Sequence, residues 1–196
     1  MSGIAAILRP DGAPVPAERL AAMAAAIAYR GPDGTRLWHG PGAALACAAF
    51  ATSRADRAAP PPLVHQGGGI VLAMDGWLAN RDDLRDALAQ QPGLDRDASD
   101  AQLALHLFAR DPGQAAARLE GEFALVVWDW RRRAAWCARD HHGLRPLFWH
   151  WDGQALLVAS DIAAILAALP SAPALNDGFL AEIAADIVCT GHETIW

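Results

Sequence analysis

The feature that most constrains the fold is the apolar run Ile4-Ala5-Ala6-Ile7-Leu8, directly after Met1-Ser2-Gly3. Such a run, with no polar alternation, reads as a buried strand. No leader is expected ahead of such a start, and the second residue is expected at the mouth of that strand. A small second residue favours removal of Met1. Ser2 would then carry both a hydroxyl and a free α-amine, whose reference pKa is about 7.7–8. An amine of that pKa can act as base beside its own side chain, as in N-terminal nucleophile chemistry. Serine is also common at second positions, so the rest of the chain has to decide.

Further along, Ala17 to Tyr29 carries apolar residues at Leu20, Met23 and Ile27, the spacing of an amphipathic helix. Arg30-Gly31-Pro32-Asp33-Gly34 breaks it. Thr35–His39 and Ala43–Ala51 read as strands around His39-Gly40-Pro41-Gly42. Pro60-Pro61-Pro62 and Gly67-Gly68-Gly69 bracket a loop. Ile70–Met74 is a wholly apolar strand buried on both faces, running into the turn signal Asp75-Gly76. Asn80 is positioned to cap a helix over Arg81–Ala89, and Ser99 or Asp100 another reaching Ala109. Ala115–Leu119 is a short helical piece. Four strands are expected at Glu122–Asp129, Ala134–Arg139, Leu147–Trp151 and Ala155–Ser160, then helices at Ile162–Leu169 and Ala174–Ala185. Strands and helices thus come in blocks. That excludes a doubly wound parallel sheet and favours two layers of strands covered by segregated helices.

Composition narrows the function classes. With 53% hydrophobic residues and 19% charged residues in 196, the chain has a sizeable core and is not disordered. The net charge of −6 includes no basic block for nucleic acid. No apolar run reaches membrane-spanning length, so a cytoplasmic protein is expected. Cys47, Cys137 and Cys189 show no C-x-x-C spacing, which argues against a disulfide framework or a zinc site. Each is expected as a small buried hydrophobe. Five of the eight Trp fall between Trp128 and Trp151, where core packing is the first expectation.

Five segments occur in a telling order: Met1-Ser2-Gly3-Ile4; Arg30-Gly31-Pro32-Asp33; Asp75-Gly76-Trp77-Leu78-Ala79-Asn80; Leu119-Glu120-Gly121-Glu122-Phe123-Ala124; and Arg139-Asp140-His141-His142-Gly143-Leu144-Arg145-Pro146-Leu147-Phe148. Together they resemble the class II glutamine amidotransferase domain of asparagine-synthetase-like enzymes. The resemblance implies an α+β fold, the four-layer αββα sandwich of the N-terminal nucleophile hydrolases, over residues 1–170. It makes residues 171–196 the lead-in to an ATP-dependent synthetase domain absent from this chain. ATP and magnesium would belong to that domain, and no cofactor or metal to this one.

The resemblance also assigns positions. Ser2 stands where the family has a nucleophilic cysteine, and a hydroxyl is far less acidic than a thiol. Asp75 stands where an asparagine donates to the oxyanion, and an ionised carboxylate cannot donate. Losing such a donor typically costs roughly 10²–10³ in rate. Gly76 keeps its backbone N–H. Trp77 replaces a polar substrate contact, and Ala49 falls where the family's substrate-carboxylate arginine lies. Asp100 matches the carboxylate that holds the substrate amine, with a helix cap as the plain alternative. Arg30, Asp33, Asn80, Glu120, Gly121, Arg139, Asp140, Gly143 and Pro146 are expected to set loops and buried polar contacts.

The segment Asp75-Gly76-Trp77-Leu78-Ala79-Asn80-Arg81-Asp82-Asp83-Leu84 is most similar to the version in lasso peptide cyclases, whose acyl acceptor is a peptide amine rather than ammonia. Three functions follow as expectations. The first is a glutaminase-like domain with little activity, attached to an amide-forming domain in cis that serves a precursor peptide. The second is a working amidohydrolase using Ser2. The third is a non-catalytic module that holds a peptide or partner in the vacated pocket.

Overall fold

Strand β1 (Gly3–Leu8) is buried along its whole length because it is covered on every side. Its edges pair antiparallel with β3 (Ala43–Ala48) and β9 (Leu156–Ala159). Ala5 and Ile7 pack beneath helices α1 (Ala17–Ile27) and α6 (Ile162–Ala168), while Ile4, Ala6 and Leu8 face a second sheet. The period-2 alternation of a strand thus sends both sets of side chains into a core. Burying an Ile or Leu side chain stabilises by about 1.5–3 kcal/mol. Ile4, Ile7 and Leu8 together approach the net stability of a small domain, so this strand end is firmly placed.

The computed structural model describes residues 1–196 apart from Gln66, Arg96 and Val188. Among the described residues, the first sheet runs β2 (Thr35–Gly40), β3, β1, β9, β8 (Phe148–Trp151). The second runs β4 (Leu63–His65), β5 (Ile70–Leu78), β6 (Gly121–Asp129), β7 (Ala134–Arg139). All pairings are antiparallel. The sheets share a core of Leu45, Cys47, Val71, Ala73, Val126 and Trp128 with the inner face of β1. The outer face of the second sheet is covered by α3 (Arg81–Ala87), α4 (Asp100–Arg110) and α5 (Pro112–Ala115), through Leu84, Leu103, Leu107 and Phe108. The result is the four-layer αββα sandwich that the motifs imply.

Several local expectations need correction. Asp75-Gly76 is not a turn, since β5 continues through it to Leu78, with Gly76 opposite Phe123. A Cβ at Gly76 would lie 2.0 Å from the Glu122 carbonyl oxygen, so glycine serves close strand approach there. Asn80 does not cap α3 with its side chain. Its amide instead donates to the Arg118 carbonyl and accepts from the Glu120 N–H, tying β5's exit to β6's entry. Strand β4 occupies the segment expected as loop between Pro62 and Gly67, and helix α2 (Arg54–Ala58) lies in a stretch for which the sequence reading gave no element. The Gln66 position of that loop lies outside the described residues.

The helical stretch after α4 is α5 followed by a 3₁₀ turn at Ala116–Arg118. Helix α7 (Asp177–Ala184) begins later than expected, where Asn176 caps it. Cys137 and Cys189 are exposed, unlike the buried Cys47. Trp149 and Trp151 are exposed on edge strand β8, whereas Trp128 is buried and donates its indole N–H to the Pro41 carbonyl. No helix among the described residues is long and apolar enough to cross a membrane.

Candidate active site

The N-terminal end of β1, the C-terminal end of β3, the outer half of β5 and the start of α4 converge on one cavity of about 360 Å³. Its walls include Ser2, Ala49, Asp75, Gly76, Trp77 and Asp100, residues scattered over half the sequence. Met1 also lines it and is exposed.

Ser2 is held from several sides. Its Oγ accepts a hydrogen bond from the Phe50 N–H at 3.1 Å, and its carbonyl accepts from Arg30 Nε at 3.1 Å. Two residues on, the Ile4 N–H donates to Ser160 Oγ. Arg30 reaches this position because Gly31 lets its loop lie against β3. A Cβ there would fall 2.1 Å from the Ala48 carbonyl carbon. Asp33 completes the brace: its N–H donates to the Ala49 carbonyl and its carboxylate accepts from the Ala51 N–H at 2.8 Å. The Arg-Gly-Pro-Asp segment therefore supports the cavity wall without lining the cavity.

Asp75 is 2% exposed and lies between two guanidinium groups, Arg30 Nη2 at 4.0 Å from Oδ2 and Arg145 Nη1 at 3.8 Å from Oδ1. Burial raises its pKa above the ordinary carboxylate value, against the pull of Arg145, Arg30, the N-terminal ammonium and the Ser2 N–H. When ionised, the Asp75 carboxylate can only accept, beside Ser2 where acyl transfer would need a donor.

Arg145 also approaches Glu122 Oε2 at 3.3 Å. The preceding turn aims it, because buried Asp140 accepts hydrogen bonds from the His142, Leu144 and Arg145 N–H groups. Burial works against ionisation of Asp140, but these N–H donors together hold its pKa below the ordinary value. Arg139 is exposed and does not line the cavity; its guanidinium lies over Gly143.

Asp100 is not the cap of α4. Ser99 caps it, in a reciprocal pair with Gln102. The Asp100 carboxylate accepts from the Leu78 N–H at 2.9 Å, with Arg81 Nε 3.5 Å away. Burial raises its pKa, opposed by the Leu78 N–H and Arg81. Trp77 is 45% exposed and stands at the cavity wall. The motif reading did not single out Arg145, Phe50 or Asp56, all of which line the cavity. Arg145 stands inside a quoted motif, whereas Asp56 carries only a helix-capping signal and Phe50 no local signal of a site. Among the described residues, no group of three or more His, Cys, Asp or Glu could hold a metal ion.

A four-layer αββα sandwich with a pocket at the end of its central strand is the architecture of class II, N-terminal-nucleophile-type glutamine amidotransferase domains. Residues 1–196 match the family model described as "Glutamine amidotransferase domain", and the chain belongs to that family. It is 29% identical to asparagine synthetase (glutamine-hydrolyzing) 3 of Bacillus subtilis over 146 residues, 74% of this chain and 24% of that protein. It is 31% identical to a putative glutamine-hydrolyzing asparagine synthetase of Mycobacterium bovis over 183 residues, 83% of this chain and 27% of that protein. The chain therefore spans about a quarter of the length of these curated relatives. Among solved structures, glutamine PRPP amidotransferase from B. subtilis, complexed with ADP and GMP, shares the fold. Its TM-score is 0.66 at 20% identity, covering 85% of this chain and 43% of that one.

Proposed function

We propose that this chain is the glutaminase-type domain of an asparagine-synthetase-like, ATP-dependent amide-forming enzyme, and that its own glutamine hydrolysis is weak or absent. The observation that carries this reading is the buried Asp75 carboxylate at the Ser2 end of the cavity, where an oxyanion would need a donor. Ala49 and Trp77 support it, since neither offers a charge or a small polar contact to an amino-acid substrate. Synthesis with ATP and magnesium would fall to the part of such enzymes that this chain does not span. Within the reading, the segment from Asp75 to Leu84 favours a lasso peptide cyclase, whose acceptor amine comes from a precursor peptide.

The test is direct: purified protein, glutamine, and measurement of glutamate and ammonia. Turnover of about 1 s⁻¹ or more, ordinary for an enzyme, would overturn the reading. A second reading, hydrolysis by Ser2, is favoured by the Ser2 hydroxyl lining the cavity and by relatives named as glutamine-hydrolyzing. It requires a free Ser2 amine, so an intact mass that retains Met1 would exclude it.

A further inference from the structure

The flank of the sandwich formed by edge strands β7 and β8 is open. On β7, Ala135, Cys137 and Arg139 stand opposite Trp128, Val126 and Ala124, which belong to the core between the sheets. On β8, Trp149 and Trp151 stand opposite Val158 and Leu156, which pack in or against the same core. Paired residues of an antiparallel ladder share a face, so all five lie on inner faces. All five are nevertheless exposed.

The backbone of β8 is open on the same side. In an antiparallel ladder, hydrogen-bonded pairs alternate with pairs that make no bond to each other. The Asp152 N–H donates to the Ala155 carbonyl, one step beyond the pair Trp151 and Leu156. The Ser160 N–H donates to the Ile4 carbonyl, one step beyond the pair Ala5 and Ala159. Counting along the register from either bond gives one answer. Phe148 and His150 bond to β9, whereas the N–H and C=O groups of Trp149 and Trp151 point away from it. Beyond β8 the sheet has no further strand among the described residues, and no described residue outside β9 bonds to these groups.

Nothing defends this edge. From Leu147 to Trp151 there is no Lys, Arg, Asp, Glu or Pro, the usual guards of an exposed edge strand. The edge is also complementary to itself. An antiparallel pair centred on His150 sets Trp149 opposite Trp151 of the second copy, and the reverse. The outward groups of the four tryptophans then exchange four N–H to C=O hydrogen bonds. Their indoles share one face and fill the open flank beside the two β7 strands. Trp149 is 70% exposed and Trp151 49%, so two copies would cover roughly 400–600 Å² of indole, at about 150–250 Å² for a whole aromatic side chain. That is roughly a third to a half of the ~1,200 Å² at which stable interfaces begin, so the contact is weak and depends on concentration. We infer that the chain pairs with a second copy of itself through the β8 edges, joining the two five-stranded sheets into one.

The experiment is sedimentation of the full chain over roughly 1 µM to 1 mM. The average mass should rise from one copy toward two, with its midpoint at roughly 100 µM. Trp149→Lys, at a ring that folding leaves exposed, should raise that midpoint by about tenfold or more. The register is read separately, in a Cys137→Ser/Cys189→Ser background. There His150→Cys sets two thiols across the two-fold axis at the ~4.5 Å Cα separation of a non-hydrogen-bonded pair, within disulfide reach. Oxidised glutathione should link this variant into a dimer and leave a Gln154→Cys control unlinked. The mass of one copy at every concentration would overturn the inference and leave the edge to a different chain. Equal linking at both positions would overturn it too. A dimer unchanged by Trp149→Lys would also do so, and would move the contact to another apolar surface, such as the exposed Ile183 and Ile187.

Discussion

The Arg30 guanidinium lies 4.0 Å from the Asp75 carboxylate, near enough to pair and too far to hydrogen-bond. Both side chains are nine-tenths buried or more, so each compensates the other's charge, with Arg145 3.8 Å from Asp75 as a second cation. Arg30→Met should therefore destabilise the protein by about 3 kcal/mol, read as a lowered urea midpoint. The double variant Arg30→Met/Asp75→Asn should recover at least about 1 kcal/mol of that loss. Additive losses would mean that the two groups do not compensate each other.

Restoring single catalytic groups should not restore catalysis. Ser2→Cys supplies a thiol and Asp75→Asn supplies a donor, but Ala49 and Trp77 still leave the substrate unanchored. The combined variant is expected to stay below about 1 s⁻¹ in glutamate release. Adding Ala49→Arg is the step expected to raise the rate, through a lower KM.

Gly76→Ala should be among the most damaging small changes in the chain. Its φ is +134°, and the new methyl would meet the Glu122 carbonyl at 2.0 Å. Separating β5 from β6 at that point should cost more than about 4 kcal/mol, or prevent recovery of folded protein. Gly153→Ala is the control: its φ is also positive, but nothing lies within 4 Å, so about 1 kcal/mol is expected. Comparable losses in both variants would assign the damage to backbone strain rather than to strand contact.

Acid should weaken the fold through Asp152. Burial pushes its pKa up, but the Arg19 hydrogen bond and the Ala155 and Gln154 N–H donors outweigh that and bring it down to about 2. A depressed carboxylate stabilises the folded state above its unfolded pKa, and the contribution is lost as pH falls through the folded one. The predicted loss is about 2 kcal/mol between about pH 4 and about pH 2. Urea titrations across that range should show the slope, and Asp152→Asn should flatten it.

The cysteines should divide by reactivity. The Cys47 thiol is buried between the sheets, and that burial, with the nearby Asp75 charge, pushes its pKa up to about 12. Cys189 is exposed. Mass-resolved alkylation near neutral pH should label Cys189 in the folded protein and Cys47 only after denaturation. Early labelling of Cys47 would show that the sandwich opens.

Wherever a strand was buried on both faces, as at Ile4–Leu8 and Ile70–Met74, hydropathy alone revealed it, because both faces demand apolar residues. Asp75-Gly76 misled for a physical reason. Glycine after aspartate is the residue pair of a tight turn, but here the glycine answers a neighbouring strand that lies 46 residues on in sequence, at Glu122. Helix α2 could have been found, since Ser53 and Asp56 form a capping box. Ser2 is legible from its place ahead of the buried strand, whereas Ala49, Trp77 and Asp100 are legible as site residues only as counterparts of family positions. That Asp56 and Phe50 join them depends on how the sheets pack, and no short-range pattern records that.

Met1 lies on the wall of the cavity, one residue ahead of Ser2. Any peptide fused in front of it would begin at the cavity wall, next to whatever the cavity holds. Purification handles and fluorescent reporters therefore belong at the other end of the chain.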